Sequence, residues 1–236
     1  MESLISNTGV TELPSETLMH RVSGSRNAAE FLCNGQNIMN DLTRALSKIN
    51  KSFSDFDHVL DFGCGCGRSL IWCKEIAKKS NIYGSDFDAE AIAWCREHIP
   101  FGKYYVNQAL PLTKFPTGMF DLIFAVSVFT HLNLDYQLSW LSELKRISAP
   151  GGYLLLTCHG ETVWRNLPPE RIETLRKDGV LFDREPFWEN IFPDWYRSTY
   201  HTLEYLNKVW TEFFDIIDYI PQGMNGHQDI VVLRNK

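Results

Sequence analysis

Short apolar segments alternate with segments of helical periodicity through most of the chain, and this alternation constrains the fold more than any other feature. The apolar segments predict five strands, at residues 58–63, 81–86, 103–108, 120–127 and 153–158. Helical spacing of apolar residues before and between them predicts helices at residues 27–49, 68–79, 88–98 and 135–148. Strands that are apolar throughout and separated by helices are typical of a mostly parallel sheet with helices on both faces.

The end of the chain departs from this alternation. After a helix near 202–211, two further strands are predicted near 213–220 and 229–233, and the residues between them are too few for a crossover helix. These two strands are therefore expected to pair antiparallel. The predicted fold class is α/β: a doubly wound, seven-stranded, mostly parallel sheet with an antiparallel last strand, helices on both faces and a small inserted cap.

The composition limits the domain organisation, the partners and the cellular compartment. A chain of 236 residues can form one full-size core. We expect an N-terminal lead-in or flap at 1–26 and one domain at 27–236, with a substrate cap inserted at about 160–200, where no clear strand is predicted. The 29 acidic and 23 basic residues give a net charge of −6, which argues against binding nucleic acid or anionic membranes.

Neither a secretory signal nor a membrane span is predicted. The first ten residues lack the basic and apolar regions of a signal, and the longest near-apolar run, 122–129, falls far short of the ~20 residues that span a bilayer. We therefore expect a cytoplasmic protein with six reduced cysteines.

The residues DFGCGCG at 61–67 follow the first predicted strand directly. Alternating glycines let the backbone turn sharply and let a ligand approach it closely. This turn lies at the carboxyl end of a strand, where open α/β sheets bind their ligands. Asp86 ends the second predicted strand, 23 residues after Gly63, where its carboxylate can accept both hydroxyl hydrogens of a ribose. The two features together predict a site for a ligand that contains a nucleoside.

The glycine spacing bears on which nucleoside ligand is bound. A dinucleotide site has the pattern G-x-G-x-x-G, whereas here Arg68 stands where the third glycine would be. Asp61, two residues before Gly63, suits a ligand with a positive ammonium group better than it suits a diphosphate. A nicotinamide-dependent oxidoreductase stays an alternative at this point.

Four motifs together resemble those of the class I S-adenosylmethionine-dependent methyltransferases. They are DFGCGCG at 61–67, GSDFD at 84–88, FDLIFAVSVFTHL at 120–132 and PGGYLLLT at 150–157. The resemblance covers about 55–160 and 200–236. It implies S-adenosyl-L-methionine as cofactor and transfer of its methyl group to an oxygen or nitrogen of a small-molecule acceptor, with no nucleic-acid or membrane partner. A non-catalytic partner subunit with this fold is a second alternative.

The resemblance also implies which residues contact the cofactor. Asp86 would hold the ribose, Phe87 would lie beside the adenine, and Asn107 stands where an acidic residue is common. The implied cofactor-binding residues are Asp61, Gly63, Cys64, Gly65, Gly67, Asp86, Phe87, Asn107, Ser127 and Val128. Arg21 could pair with the carboxylate of the cofactor or lie in solvent.

Histidines and aromatic residues give the candidates for catalysis and substrate binding. His131 and His159 follow the fourth and fifth strands, where either imidazole could accept a proton from the acceptor or simply be packed. Twelve aromatic residues within 181–220 predict either a lid or a small hydrophobic subcore. The candidate substrate-binding residues are Trp164, Tyr200 and His201. No metal site is predicted, because Cys64 and Cys66 lack the second ligand pair of a structural zinc site.

Overall fold

The computed structural model describes residues 8–108, 111, 113–183 and 197–236. Its strands are β1 His58–Phe62, β2 Asn81–Asp86, β3 Gly102–Val106, β4 Phe120–Ala125, β5 Ser148–Cys158, β6 Val180–Asp183, β7 Ser198–His201, β8 Phe214–Met224 and β9 Gln228–Asn235. Seven of them form one sheet in the order β3-β2-β1-β4-β5-β9-β8. The strands β1 to β5 run parallel, and β9 runs antiparallel to both β5 and β8. The predicted seven-stranded, mostly parallel sheet with an antiparallel last strand is confirmed.

Seven α-helices surround the two sheets of the described chain. They are α1 Glu16–Ser23, α2 Ala28–Lys48, α3 Ala89–His98, α4 Leu134–Ile147, α5 Glu161–Trp164, α6 Pro169–Asp178 and α7 Leu203–Val209. At the amino ends of α1, α2, α3, α4 and α7, a side chain accepts a hydrogen bond from an otherwise unpaired backbone amide. Asn27 does this for α2, accepting from Ala29 and Glu30, and Asp88 does it for α3. The helices therefore begin where the sequence places capping residues.

The sheet separates two hydrophobic clusters, one on each face. Val59 of β1 lies in the first cluster with Phe31 of α2, whereas the next residue, Leu60, lies in the second with Leu141 of α4. Successive side chains of a strand point to opposite faces. Because both faces are covered, every residue of β1 after His58 is buried. Burying each large aliphatic side chain contributes about 1.5–3 kcal/mol.

The predicted helix at 68–79 is wrong. The structure has two short 3₁₀ turns there, Leu70–Trp72 and Ile76–Lys78. The amide of Trp72 donates to the Ser69 carbonyl, three residues back, at 3.1 Å. The Arg68 carbonyl lies so close to Gly35 of α2 that a Cβ at residue 35 would clash with it. Tight packing against α2 therefore outweighs the helical spacing of the apolar residues.

The insert contains strands, although the sequence predicted none for about 160–200. Strands β6 and β7 pair antiparallel, with Val180 opposite His201 and Asp183 opposite Ser198. Each strand has four residues, and its partner is remote in the chain, so local periodicity carries little signal. The aromatic-rich segment predicted as a lid or a small hydrophobic subcore includes 184–196, which lies outside the described residues.

The N-terminal segment also has more structure than a loose lead-in. Ser15 caps α1, which ends at Gly24 in a left-handed conformation. None of the described helices combines the length and the apolar character needed to cross a bilayer. All six cysteines are free thiols. The predicted cytoplasmic location stays a prediction, as does the division of the chain at residue 26.

Candidate active site

A cavity of about 600 Å³ opens at the carboxyl ends of β1, β2 and β4. This volume lies in the range of small-molecule sites. Nine of the ten residues predicted to bind the cofactor line it, namely Asp61, Gly63, Cys64, Gly65, Asp86, Phe87, Asn107, Ser127 and Val128. Gly67, the tenth, does not. The topology of the sheet therefore brings residues far apart in sequence to one cavity.

Gly63 and Gly65 form a turn that other residues could not adopt without strain. Their φ angles are +80° and +52°, which L-residues with a side chain rarely adopt. A Cβ at Gly63 would clash with Val128, and a Cβ at Gly65 would clash with Val22. The Gly65 amide donates to Asp86 Oδ2 at 2.7 Å, which ties the turn to the end of β2. The backbone of this turn is therefore held open toward the cavity.

Asp86 has a buried carboxylate with two backbone donors. Oδ2 accepts from the Gly65 amide and Oδ1 accepts from the Asp88 amide, at 2.7 Å and 2.8 Å. Burial raises the pKa of Asp86 to about 6, although these backbone hydrogen bonds oppose the rise. Each carboxylate oxygen has a second lone pair, so the group can still accept two hydroxyl hydrogens from a ligand.

Asp61 lies at the other side of the same turn and is also buried. Its carboxylate accepts a hydrogen bond from the Ser69 hydroxyl. Burial, together with the nearby Asp86, raises the pKa of Asp61 to about 7 against the lowering effects of Ser69 and Arg68. A cationic group in the cavity would favour the ionised carboxylate. Sequence reasoning missed Ser69, whose only signal is its position shortly after the glycine turn.

Helix α1, which lies in the segment predicted as an N-terminal lead-in or flap, forms a wall of the cavity. Arg21 and Val22 line the cavity beside Asp88 and Glu90. The Arg21 guanidinium pairs with Asp88 at 2.9 Å and with Glu90 at 2.7 Å. The sequence offered a cofactor carboxylate or solvent as its partner. In the structure, Arg21 instead connects α1 to the first turn of α3.

Ser127 follows β4 with a φ of +59°, which is unusual for a residue other than glycine. Its amide donates to Thr157 Oγ1 at 2.8 Å, and its hydroxyl accepts from Gln228 Nε2 at 2.8 Å. These two bonds hold the backbone in the strained conformation. Ser127 is therefore fixed at the cavity wall by residues from β5 and β9.

The two candidate catalytic histidines do not line the cavity. His131 and His159 are each 8% exposed, and their ring centroids lie 6.3 Å apart. His131 Nδ1 lies 3.0 Å from the Arg197 carbonyl. Burial lowers the pKa of His131 to about 4 and that of His159 to about 3, so both rings are neutral near pH 7. Within the described chain, no group of three or more potential ligands is arranged to hold a metal ion.

The candidate substrate-binding residues do not line the cavity either. His201 is fully buried, and its Nε2 lies 2.9 Å from Gln137 Oε1. The Trp164 indole donates to the His201 carbonyl at 3.0 Å, and Tyr200 packs with Trp164 and Leu175 in a small cluster. Since none of the three residues is part of the cavity lining, the placement gives no support to a substrate-binding role for Trp164, Tyr200 or His201.

Comparison with known proteins agrees with this geometry. Residues 60–156 match the family described as Methyltransferase domain. The chain has the fold of the class I S-adenosylmethionine-dependent methyltransferases. The matched region runs from β1 to β5 and includes the glycine turn and Asp86. The fold, the methyltransferase domain and its cofactor, S-adenosyl-L-methionine, are thereby confirmed.

Two curated relatives and one solved structure illustrate the range of this methyltransferase class. The tRNA N(3)-methylcytidine methyltransferase trm141 of Schizosaccharomyces pombe is 26% identical over 64% of this chain and 66% of its own. The ribosomal protein L11 methyltransferase of Paraburkholderia xenovorans is 30% identical over 46% of this chain, which spans only 34% of that protein. The structure of Burkholderia thailandensis 1,6-didemethyltoxoflavin-N1-methyltransferase contains S-adenosylhomocysteine and has a TM-score of 0.60, at 12% identity over 96% of this chain and 94% of that one.

These relatives correct one expectation. The sequence predicted a small-molecule acceptor and no nucleic-acid partner. That prediction is wrong, because the first relative is named for tRNA and the second for a ribosomal protein. The small-molecule acceptor was inferred from the family resemblance, whereas the exclusion of nucleic acid rested on the net charge of −6. Net charge describes the whole chain, whereas recognition depends on the field of a local surface.

Proposed function

We propose that this chain transfers the methyl group of S-adenosylmethionine to an oxygen or nitrogen nucleophile. One observation supports this most: two buried carboxylates, Asp61 and Asp86, face one cavity from either side of a glycine turn. The donors that Asp61 and Asp86 have within the protein leave carboxylate lone pairs free, and burial of a carboxylate is less unfavourable when further donors or a cation pair with it. A ligand with an ammonium group and a ribose supplies both kinds of partner.

The residues present fit this cofactor. Asp61 would pair with the ammonium group, and Asp86 would accept from the ribose hydroxyls. Phe87 is 43% exposed at the cavity, where its ring offers a face to the adenine. Because Gly63 and Gly65 have no Cβ, Val128 and Val22 can pack directly against the turn at the cavity wall. When bound, the cofactor supplies an electrophilic methyl group on a sulfonium.

The part of the protein in the reaction is to bind, align and keep water out. Placement of two reactants can lower the barrier by several kcal/mol, up to about 7–11 in well-aligned intramolecular reactions. The apolar residues Phe62, Val128, Leu132 and Trp140 line the cavity and exclude water from it. A direct catalytic role for His131 or His159 stays a prediction.

Cofactor binding is the first test. Isothermal titration with S-adenosylhomocysteine is expected to show one site in the wild type. Asp86→Asn should weaken binding at least tenfold, because it removes the acceptor pair for the ribose. Glu90→Gln is the matched control, since Glu90 lines the same cavity and is not assigned a contact with the ribose. The affinity of this variant for S-adenosylhomocysteine should change less than twofold. Absence of binding by the wild type would contradict the proposal.

Methyl transfer is the second test. The protein is incubated with methyl-labelled S-adenosylmethionine and, separately, with RNA, protein and low-molecular-weight fractions of a cell extract. Label in any one fraction supports transfer and identifies the acceptor class. Cofactor binding without transfer to any fraction would instead favour the non-catalytic partner subunit. Tight NADH binding in a fluorescence titration would favour the oxidoreductase.

A further inference from the structure

The two buried carboxylates at the cavity are held by different kinds of group. Asp86 accepts from two backbone amides, those of Gly65 and Asp88. Asp61 accepts from a side chain, the hydroxyl of Ser69, which donates to Oδ2. No other hydrogen bond to the Asp61 carboxylate is found among the described residues, so its Oδ1 is left for a ligand. The orientation of Asp61 therefore depends on one side chain that a single substitution can change.

Ser69 lies between the glycine turn and the 3₁₀ turn at 70–72. This is a capping position, where a serine hydroxyl usually accepts from a backbone amide, but here the side chain makes no such bond. The hydroxyl instead donates to the carboxylate on β1. The backbone of Ser69 is held separately, because its carbonyl accepts from the Trp72 amide at 3.1 Å. The hydroxyl is therefore not committed to the local turn.

Both members of this pair reach the cavity while being nearly inaccessible to solvent. Asp61 and Ser69 line the cavity and are 3% and 6% exposed. A hydrogen bond to a charged group is stronger than one between neutral groups, and a low local dielectric strengthens it further. Because a serine hydroxyl has a single hydrogen, its donation to Oδ2 holds the carboxylate in one orientation.

The other ionisable groups near Asp61 do not take over the role of this donor. Those that face it from neighbouring elements are Asp86, Arg68, Cys64, Cys73 and Tyr104. Burial raises the pKa values of the two thiols and the phenol, so all three stay neutral near pH 7. Of the two groups that lower the pKa of Asp61, Ser69 has the larger effect and Arg68 the smaller. Arg21 of α1 lines the same cavity and pairs with acidic residues at the start of α3.

We propose that Ser69 is a positioning residue for cofactor binding, whose hydroxyl holds the Asp61 carboxylate in the orientation that pairs with the ammonium group of S-adenosylmethionine. The proposal rests on the proposed function, in which Asp61 makes that contact, and adds the residue that prepares the contact. Ser69 acts through Asp61. Without its hydroxyl, burial would favour the neutral acid more strongly, and the ammonium group would lose its charged partner.

The pH dependence of cofactor affinity separates this role from a purely structural one. S-adenosylhomocysteine is titrated calorimetrically into the wild type and into Ser69→Ala at pH 6 and pH 8.5. Because the variant needs a higher pH to ionise Asp61, its affinity should be at least about fivefold below that of the wild type at pH 6 but within about threefold at pH 8.5. Ionisation of the ligand and of Asp86 affects both proteins alike and cancels in this ratio. A structural defect would lower the affinity by the same factor at both pH values.

Two further proteins locate the effect at Asp61. Ser85→Ala is the matched control, because Ser85 is also a buried serine, on β2, and its hydroxyl has no hydrogen-bond partner among the described residues. The affinity of this control should stay within about twofold of the wild type at both pH values. Asp61→Asn has no charge at this position, so adding Ser69→Ala to it should cause no pH-dependent loss.

Ser69→Cys is a second variant should Ser69→Ala not fold. Its thiol is a weaker donor, so the loss at pH 6 should again exceed the loss at pH 8.5, but by less. The same factor at both pH values, an unchanged affinity at pH 6, or an equal pH-dependent loss in the Asp61→Asn background would overturn the positioning role of Ser69. Failure of the wild type to bind S-adenosylhomocysteine would instead overturn the proposed function.

Discussion

The charge state of Asp61 gives the sharpest test of how the cavity binds its cofactor. The carboxylate is 3% exposed and lies near the second carboxylate, Asp86. Burial raises the pKa of Asp61 to about 7. If Asp61 pairs with the ammonium group, as proposed, binding requires the ionised form. Cofactor binding should therefore release a proton from the protein whenever the pH lies below about 7.

The size of the effect follows from this pKa. With a pKa of about 7, roughly 1% of Asp61 is ionised at pH 5 and about half at pH 7. The affinity should thus rise about 50-fold between these pH values, or about 2.3 kcal/mol. The α-ammonium group of the ligand, with a reference pKa of about 7.7–8.0, stays largely protonated over this range. The ligand therefore adds little to the change.

The assay is isothermal titration with S-adenosylhomocysteine at pH 5, 6 and 7, in buffers of different ionisation enthalpy so that released protons are counted. Asp86 also has a raised pKa, of about 6, and contributes its own pH dependence. Asp61→Asn isolates the first carboxylate while keeping an oxygen that can accept from Ser69. Between pH 5 and pH 7, the factor by which the affinity rises should be about 50 times larger for the wild type than for this variant. Equal pH dependence in the two proteins would refute the pairing of Asp61 with the ammonium group.

Three further expectations concern stability and access to the cavity. Folding raises the pKa of Asp61 from 3.8 to about 7. The contribution of Asp61 to the free energy of unfolding is therefore fully present below pH 3.8 and is lost as the pH rises through 7, by up to about 4 kcal/mol. Urea unfolding of the ligand-free protein should therefore show Asp61→Asn to be more stable than the wild type at pH 8, with a smaller difference at pH 5; the reverse order would contradict this. Gly65→Ala should weaken S-adenosylhomocysteine binding at least tenfold by titration, because its Cβ would meet Val22. Gly24→Ala, also at positive φ but with open space around it, should leave binding within twofold, and similar losses in both would exclude the steric cause. Arg21→Ala should change the unfolding free energy by no more than about 1 kcal/mol, since the guanidinium is 36% exposed. The variant should also release S-adenosylhomocysteine several-fold faster in stopped-flow chase experiments, and an unchanged rate would show that α1 does not limit release.

Much of the fold and the cofactor side of the cavity could be predicted from the sequence, because the signals there are local. Strands buried on both faces leave continuous apolar runs, as in β1 and β4. Gly63 and Gly65 are needed by the backbone at their own positions. Asp86 ends a strand whose neighbour in the sheet is β1. Because β1 and β2 pair parallel, their carboxyl ends meet at the same edge of the sheet, and the Asp86 carboxylate lies at the glycine turn.

The features that sequence reasoning missed depend on contacts between remote segments. Arg21 lies in an eight-residue helix, and it meets Asp88 and Glu90 only because α1 packs across the cavity. The turns at 70–72 and 76–78 replace a helix because α2 presses on Arg68. The pairing of β6 with β7 joins segments separated by 14 residues. No local pattern encodes any of these contacts.

The polar groups at and around the cavity differ in charge between the side near β1 and β2 and the side near β5 and β9. Toward β1 and β2, Asp61 and Asp86 supply carboxylates with raised pKa values. Toward β5 and β9, the polar groups behind the wall are the neutral His159 and the amide of Gln228. A sulfonium methyl group would lie between these two sides if the cofactor binds as proposed. The carboxylates favour the cofactor while it carries positive charge, and this advantage decreases when methyl transfer converts the sulfonium into a neutral thioether.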